Sequence, residues 1–142
     1  MKSVFLIISA LFLISTVSAI TASEIPEDPS DQQIENLVDL YNNNTDQVSG
    51  YVRSVVGSQD INLNYENTTY GIELNNLKIE DVNQSFNDST LDVWVEQEDV
   101  VEVANASSPR QELREKISDG DIRYMEKGVL NKIKFSVLRL FL

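Results

Sequence analysis

The chain has 142 residues, 42% of them apolar, and its 23 Asp and Glu against 11 Lys and Arg give a formal net charge of −12. This length suits one domain with one core, and the negative charge excludes nucleic acid as a natural partner because it repels phosphates at long range. Cysteine and histidine are both absent, which excludes disulfides, thiolate metal sites and the usual Ser-His or Cys-His catalysis.

The N-terminus has the three-part pattern of a signal peptide. Lys2 gives a short positive start, residues 4–16 are almost wholly apolar, and small or aliphatic residues precede a cleavage site after Ala19, with Ala22 as a second candidate. The apolar run is shorter than the roughly 20 residues that span a bilayer comfortably. We therefore expect a signal peptide over residues 1–22 and an extracellular or cell-surface protein. The alternative is an uncleaved N-terminal anchor.

If the protein is exported, its Asn-x-Ser/Thr sequences are candidate sites of N-glycosylation, which some hosts carry out. The alternative is that asparagine is abundant here because it suits turns. The glycosylation candidates are Asn43, Asn67, Asn83, Asn87 and Asn105.

The next residues change from a spacer to helices. Residues 23–30 carry two prolines and three acidic residues, which predicts an acidic spacer. An N-terminal helical segment is expected over residues 31–57. Ser30 and Gln33 have the spacing of a capping box at its start, and Gly57 ends its second helix. The apolar face of its first helix consists of Ile34, Leu37, Val38 and Tyr41.

The hydrophobic period changes to two in the middle of the chain, which predicts strands. Two alternating runs form a hairpin, a third strand begins at Leu77, and a fourth covers residues 91–95. We expect these four strands to form an antiparallel meander. Asp92 and Trp94 lie on the side of the fourth strand away from the core. We expect Trp94 to pack on the helices of residues 31–57; the alternative is an exposed face that binds a sugar or a partner.

Helical spacing returns after the fourth strand. One short helix is expected to end near Asn105. A second has Ser108 as its N-cap, Gln111 placed to complete a capping box, and Gly120 just past its end. Residues 121–125 read as a fifth short strand. Together the elements predict an α+β fold.

The last predicted helix, residues 129–141, combines an apolar face with several basic residues in an acidic protein. One interpretation is a core helix whose cations complement its own dipole. The other is a face that meets lipid, a ligand or a partner. The apolar face consists of Leu130, Ile133, Val137, Leu140 and Phe141.

Carboxylates are the remaining candidates for chemistry. Glu96, Glu98, Asp99 and Glu102 cluster where the fourth strand meets a helix. They could ligate Ca²⁺, but the spaced Asp/Asn/Gly loop of a calcium hand is missing, and acidic charge at a helix N-terminus is the simpler interpretation. The sequence also has no glycine-rich phosphate loop and no nucleophile-elbow motif. We predict no catalytic residues, no metal and no cofactor.

The order of the later elements is similar to that of a known family. The fourth strand reads TLDVWV, the motif EDVV opens the next helix, Pro109 opens another, and GDIRY precedes Gly128 and the terminal helix. This resembles the sterol carrier protein domain family, as a secreted, archaeal-type member. Over residues 58–142 the resemblance implies a five-stranded mainly antiparallel sheet with helices packed on one face. It also implies an apolar tunnel between sheet and helices, and no catalytic residues.

These observations favour an exported non-catalytic binding domain that holds a lipid or other apolar ligand between the sheet and the C-terminal helix. The alternative is a surface or interaction protein with a solidly packed core and no ligand. A cavity on the order of 300 Å³ or more would distinguish the first from the second. The C-terminal helix is also the candidate for transient membrane or protein contact. The expected ligand-binding residues are Leu91, Val93, Val95, Ile133, Val137 and Phe141.

Overall fold

The computed structural model describes residues 26–46 and 48–128. The predicted signal peptide and the predicted last helix lie outside the described residues. In chain order the described elements are α1 (Asp31–Thr45), α2 (Gly50–Val56), β1 (Ser58–Tyr65), β2 (Thr68–Asn75), β3 (Lys78–Gln84), β4 (Leu91–Val95), α3 (Gln97–Asn105), α4 (Pro109–Asp119) and β5 (Arg123–Glu126).

The strands form one five-stranded sheet in the order β3-β2-β1-β4-β5. Only the central pair, β1 and β4, is parallel; the other three pairs are antiparallel. The sheet is thus mainly antiparallel, and the predicted α+β class is confirmed.

The predicted meander is wrong at its fourth strand. β4 does not pair with β3 but lies on the other side of the hairpin, parallel to β1. The connection at residues 85–90 crosses the sheet. The side-chain amide of Asn62 in β1 holds it there through two hydrogen bonds with the backbone of Phe86. The Asn62 Nδ2 donates to the Phe86 carbonyl at 2.9 Å, and the Phe86 N–H donates to Asn62 Oδ1 at 2.8 Å. A Cβ at Gly71 would collide with the backbone carbonyl of Gln84 and would lie against the Phe86 ring, so this position requires glycine.

The second hairpin turn also differs from the prediction. Leu77 does not begin β3 but lies in the turn, where Asn76 and Leu77 have φ of 50° and 69°. Two consecutive left-handed residues suit the twist of a two-residue hairpin turn, a place where Asn is common and Leu is unusual. The Leu77 side chain is fully buried, and this burial offsets the backbone strain.

The helix ends follow the sequence signals only in part. At α1 the Ser30 N–H donates to Gln33 Oε1 at 2.9 Å and the Gln33 N–H donates to Ser30 Oγ at 3.4 Å, so the predicted capping box is confirmed. At α4, Ser108 is the N-cap but makes no side-chain cap bond. The capping box predicted there is wrong, because the Gln111 amide donates to Glu115 instead. Gly120 ends α4 with φ 87°, as predicted.

The helices share one face of the sheet. Tyr41 of α1, Val56 of α2, Val103 of α3 and Leu113 of α4 belong to the same buried cluster as the inward strand residues, such as Val93. Alternation along each strand places the polar side chains on the opposite face. The sheet therefore has a core face covered by helices and a polar face crossed by the connection at residues 85–90.

Candidate functional site

An apolar cavity of about 190 Å³ lies between α1 and the core face of the sheet. On the helix side its walls are formed by Ile34, Leu37, Val38 and Tyr41 of α1. These are the residues that the sequence places on one helical face at i, i+3, i+4 and i+7. The apolar face of α1 therefore covers a cavity as well as solid core.

The sheet side of the cavity is formed by side chains of four adjacent strands. The inward residues of the β1–β2 hairpin on this wall are Leu63, Tyr65, Tyr70 and Ile72. Those of the flanking strands β3 and β4 are Ile79, Val82, Val93 and Val95. Leu63 pairs with Tyr70 on one side and with Val93 on the other, so these side chains stand in a row across one face.

The rest of the described lining comes from residues outside the sheet and α1. Pro26 and Pro29, Val100 of α3, and Ile122 complete the described lining. The Tyr65 hydroxyl donates to the Pro26 carbonyl at 2.9 Å and ties the segment before α1 to β1. The predicted spacer thus contributes residues to the cavity. The described lining contains no charged side chain.

The α1 wall is held to the sheet by polar bonds at its C-terminal end. Asn42 of α1 bonds the backbone of Ile79, whose side chain lines the cavity. Thr45 ends the helix by donating to the Asn42 carbonyl at 2.8 Å. These bonds fix the C-terminal end of α1 against the edge strand β3.

Three tyrosines in the wall differ in how their hydroxyls are satisfied. Tyr65 donates to Pro26, and Tyr70 is only half-buried. Tyr41 is 1% exposed, and its hydroxyl has no hydrogen-bond partner in the described part of the chain. Burial raises the pKa of the Tyr41 phenol, so it stays protonated. Burial, followed by the Glu66 carboxylate, raises the pKa of Tyr65 to about 12.

A buried hydroxyl without a partner is costly, by about 1–3 kcal/mol. A second void, of about 10 Å³, also borders Tyr41. That volume is near the minimum for one water, and a buried water needs two to four polar partners. The other described side chains around this void are aliphatic. A water there would have Tyr41 as its only side-chain partner.

The structure brings together some of the predicted ligand-binding residues. Val93 and Val95 line the cavity. Leu91 is fully buried in the core but is not among the described lining residues. Ile133, Val137 and Phe141 lie outside the described residues. Ligand contact by all six stays a prediction.

The contribution of α1 to the cavity was not predicted. Its apolar face could be found in the sequence, but the predicted ligand site paired the sheet with the C-terminal helix. The available signal was Tyr41, a residue with a polar atom on an otherwise aliphatic face. The cavity is also smaller than the 300 Å³ expected of a carrier, although it is too large to be a packing defect of an ordinary core.

The polar face carries an ion pair between a buried carboxylate and a half-exposed lysine. Lys127 Nζ lies 2.7 Å from Asp92 Oδ2, and the Ser89 hydroxyl donates to Asp92 Oδ1 at 2.6 Å. Burial alone would raise the pKa of Asp92, but the bonds from Lys127 and Ser89 outweigh it and hold that pKa below its usual value. The contacts among Ser89, Asp92 and Lys127 link the connection at residues 85–90 to β4 and to the chain after β5.

Trp94 lies on the same polar face, where the Arg123 guanidinium stands 5.6 Å from its ring centroid. The expectation that Trp94 packs on the helices of residues 31–57 is wrong, because those helices cover the core face. A cation over an indole ring is favourable, and here it joins β4 to β5. Asp92 and Trp94 do share one face, as the alternation predicted.

The acidic cluster after β4 is occupied by structural contacts. Glu96 and Asp99 form a reciprocal capping box at the start of α3. Asp99, at 3.0 Å, and Glu102 both contact Lys116 of α4. The hydrogen bond with Glu102 chiefly raises the pKa of Lys116. This supports the interpretation of the cluster as helix-end charge rather than as a calcium site.

Other features of the described residues bear on the predictions. No group of three or more acidic side chains is placed to hold a metal within the described ranges. No helix among residues 26–46 and 48–128 is long and apolar enough to cross a membrane. The glycosylation candidates, all exposed, are Asn43, Asn67, Asn83, Asn87 and Asn105. Their modification stays a prediction.

Comparison with known proteins gives a likeness at the level of structure. No protein-family model matches the chain, and no curated protein matches it. The chain is similar to a solved structure titled "UbiJ-SCP2 Ubiquinone synthesis protein", with a TM-score of 0.49 and 16% identity. The alignment covers 80% of this chain and 97% of that one. A likeness of this extent assigns neither a ligand nor an activity.

Proposed function

We propose that this protein is an exported, non-catalytic binding domain that holds a small apolar molecule, or one end of a lipid, between α1 and the core face of the sheet. The cavity of about 190 Å³ carries the proposal. Its walls come from α1, four strands, α3 and the segment before α1, so the site is built by most of the fold. Export rests on the signal-peptide pattern of residues 1–22.

Energetics support a ligand over an empty space. The cavity is partly open to solvent, so without a ligand its apolar walls are in contact with water. A ligand that fills the cavity removes this apolar surface from water, which is favourable. The alternative of an interaction protein with a solidly packed core accounts less well for such a void.

The size and chemistry of the cavity limit the occupant. An apolar cavity of about 150 Å³ is enough to bind benzene, so about 190 Å³ admits a substituted ring or a short stretch of hydrocarbon chain. A whole lipid is larger than this and would enter by one end only. Apolar walls gain about 25 cal/mol for each Å² of apolar surface removed from water.

The proposal includes Ile133, Val137 and Phe141 as further ligand contacts, on the strength of their apolar spacing alone. Replacing Val137 with lysine is expected to weaken the binding of an apolar probe such as toluene. Replacing Lys134 with glutamine serves as the control, because it changes a neighbouring polar residue. Equal affinities in the two variants would remove these three residues from the site.

Native mass spectrometry of protein extracted gently from its producing cell tests the proposal. A retained ligand shows as added mass. Val38→Phe places a ring in the cavity and is expected to abolish the added mass while the unfolding midpoint stays unchanged or rises. Leu40→Phe is the matched control, because Leu40 lies on the same helix but is 43% exposed. If wild type and both variants all carry the same added mass, the cavity is not the binding site.

A further inference from the structure

The segment that leads into α1 brings carboxylates close to the cavity. Pro26 and Pro29 line the cavity, and the exposed residues Glu27 and Asp28 lie between them in the chain. Asp31, which is also exposed, follows in the first turn of α1. Because Pro26 and Pro29 are only half-buried, this part of the lining borders solvent. A ligand with its apolar body in the cavity and a polar end toward this segment places that end near several negative charges.

Two tyrosines of the lining show that these charges act inside the cavity. Burial, followed by the carboxylates of Glu66 and Glu27, raises the pKa of Tyr65 to about 12. Burial, followed by the carboxylate of Asp28, raises the pKa of Tyr70. Both tyrosine side chains line the cavity, so a ligand beside them experiences the same negative potential.

No cation in the described lining balances this potential. The described lining contains neither Lys nor Arg, and the sequence contains no histidine and has a net charge of −12. An anion in the cavity would lose hydration without gaining a cation, which is unfavourable. The described lysines pair with carboxylates of the chain itself: Lys78 with Asp46, Lys116 with Asp99, and Lys127 with Asp92.

We infer that the ligand of this cavity is an apolar molecule without negative charge, either uncharged or bearing an amine, and that the cavity selects against fatty acids and other anionic amphiphiles. This inference rests on the proposed function and names the class of ligand. The apolar walls bind the body of the ligand, and the carboxylates determine which charge its polar end can carry. Their repulsion of an anion is additive and extends over about 8–10 Å at physiological salt.

The basic residues of the C-terminal segment are the competing influence on the charge of the ligand. Lys132, Lys134 and Arg139 lie outside the described residues. Cations beside the ligand would favour an anionic end, because they form charge-assisted hydrogen bonds with carboxylates. The two possibilities give opposite orders of affinity for ligands that differ only in the charge of one end.

Four aromatic probes test the inference on the full chain. Toluene has no polar end. Phenethyl alcohol, phenylacetate and phenethylamine share a benzene ring on a short chain, and at pH 7 their ends are neutral, negative and positive. Each probe is titrated, with binding followed by NMR at low salt, into wild type, Asp28→Lys and Asp88→Lys. Asp88→Lys is the matched control, because it makes the same charge change at an exposed position in the connection at residues 85–90.

In wild type we expect phenylacetate to bind about tenfold more weakly than phenethyl alcohol, and phenethylamine to bind at least as tightly as the alcohol. Added salt is expected to narrow the difference between acid and alcohol, since it screens the carboxylates. Asp28→Lys is expected to narrow that difference by about threefold to tenfold. Asp88→Lys is expected to change it by less than about twofold, because that residue belongs to the connection across the polar face of the sheet.

If toluene binds wild type but phenylacetate binds as tightly as the alcohol or more tightly, the inference is wrong and the proposed function stands. Equal weakening of the acid and the amine would also overturn the inference, because dehydration of any charge would then set the order. Equal effects of Asp28→Lys and Asp88→Lys would overturn it as well. If neither toluene nor phenethyl alcohol binds wild type, the proposed function is wrong together with the inference.

Discussion

The side-chain amide of Asn42 bonds the backbone of Ile79 in both directions. Its Nδ2 donates to the Ile79 carbonyl at 2.9 Å, and its Oδ1 accepts the Ile79 N–H at 2.8 Å. Ile79 belongs to β3, an edge strand, whose outer backbone groups would otherwise face solvent or another chain. Because Tyr41 precedes Asn42 in α1, this pair sets the distance between the helix wall and the sheet wall of the cavity.

Replacing Asn42 with alanine is expected to destabilise the protein by about 1–2 kcal/mol, because two backbone groups of Ile79 lose their partner. The urea midpoint measures this loss. Asn43→Ala is the control: Asn43 lies beside it on α1 but is exposed, and its loss is expected to stay within about 0.5 kcal/mol. Equal losses in both variants would show that the bonds to Ile79 contribute no stability.

Tyr41→Phe is expected to stabilise the unliganded protein by about 1 kcal/mol, since it removes a buried hydroxyl that has no described partner. Tyr65→Phe is expected to destabilise it by a similar amount, because the bond to the Pro26 carbonyl is lost. Thermal unfolding of the two variants shows whether each substitution raises or lowers the stability. A loss of stability in Tyr41→Phe would mean that the hydroxyl is already satisfied in the unliganded protein.

Adjacent residues of β4 lie on opposite faces of the sheet, so substitutions at them are expected to change stability by different amounts. Val93→Asp puts a carboxylate among apolar side chains and is expected to cost more than about 4 kcal/mol, enough to unfold a marginal domain. Asp92→Asn keeps the shape but leaves Lys127 without its carboxylate, for an expected loss of about 1–3 kcal/mol. Urea midpoints rank the two, and the reverse order would mean that the faces of β4 are misassigned.

Asp92 also makes the protein sensitive to acid. Its pKa in the folded state lies below the ordinary value of 3.8, so the unfolded chain takes up the proton more readily than the folded one. The resulting stability is present above about pH 4 and is lost as the pH falls through the lower, folded pKa. Stability measured between pH 5 and pH 2 is expected to fall less steeply in Asp92→Asn than in wild type.

The control for this pH series is Asp88→Asn, which removes the same charge from an exposed position in the connection before β4 and leaves the Lys127 contact intact. If Asp88→Asn flattens the acid dependence as much as Asp92→Asn does, the effect comes from net charge and not from the Asp92–Lys127 ion pair.

Local features of the fold could be predicted from the sequence because they depend on neighbours along the chain. The spacing of apolar residues gives the face of α1 and the inward side of β4, and Gly120 marks the end of α4. The position of β4 could not be predicted, since a period of two shows which face is buried and not which strand is the partner. That choice depends on contacts such as Asn62 with Phe86, which are 24 residues apart.

The candidate site was predicted in part for the same reason. Val93 and Val95 follow from alternation on β4, and both line the cavity. The cavity itself depends on how closely α1 can approach the sheet, which is set by Asn42 and Ile79. Nothing local to Tyr41 indicates that its hydroxyl lacks a partner while that of Tyr65 has one. Unfilled space and unpaired atoms are properties of the packed chain.

Methyl-group NMR during a titration with toluene tests the central claim, that the cavity binds an apolar ligand, most directly. Toluene fits a space of about 190 Å³ and has no polar group. The methyl groups of Val38 and Val93 line the cavity, whereas those of Val56 and Val103 are buried elsewhere in the same core. The account predicts saturable shifts at Val38 and Val93 with Val56 and Val103 little changed. No saturable shift, or equal shifts at all four, would contradict it.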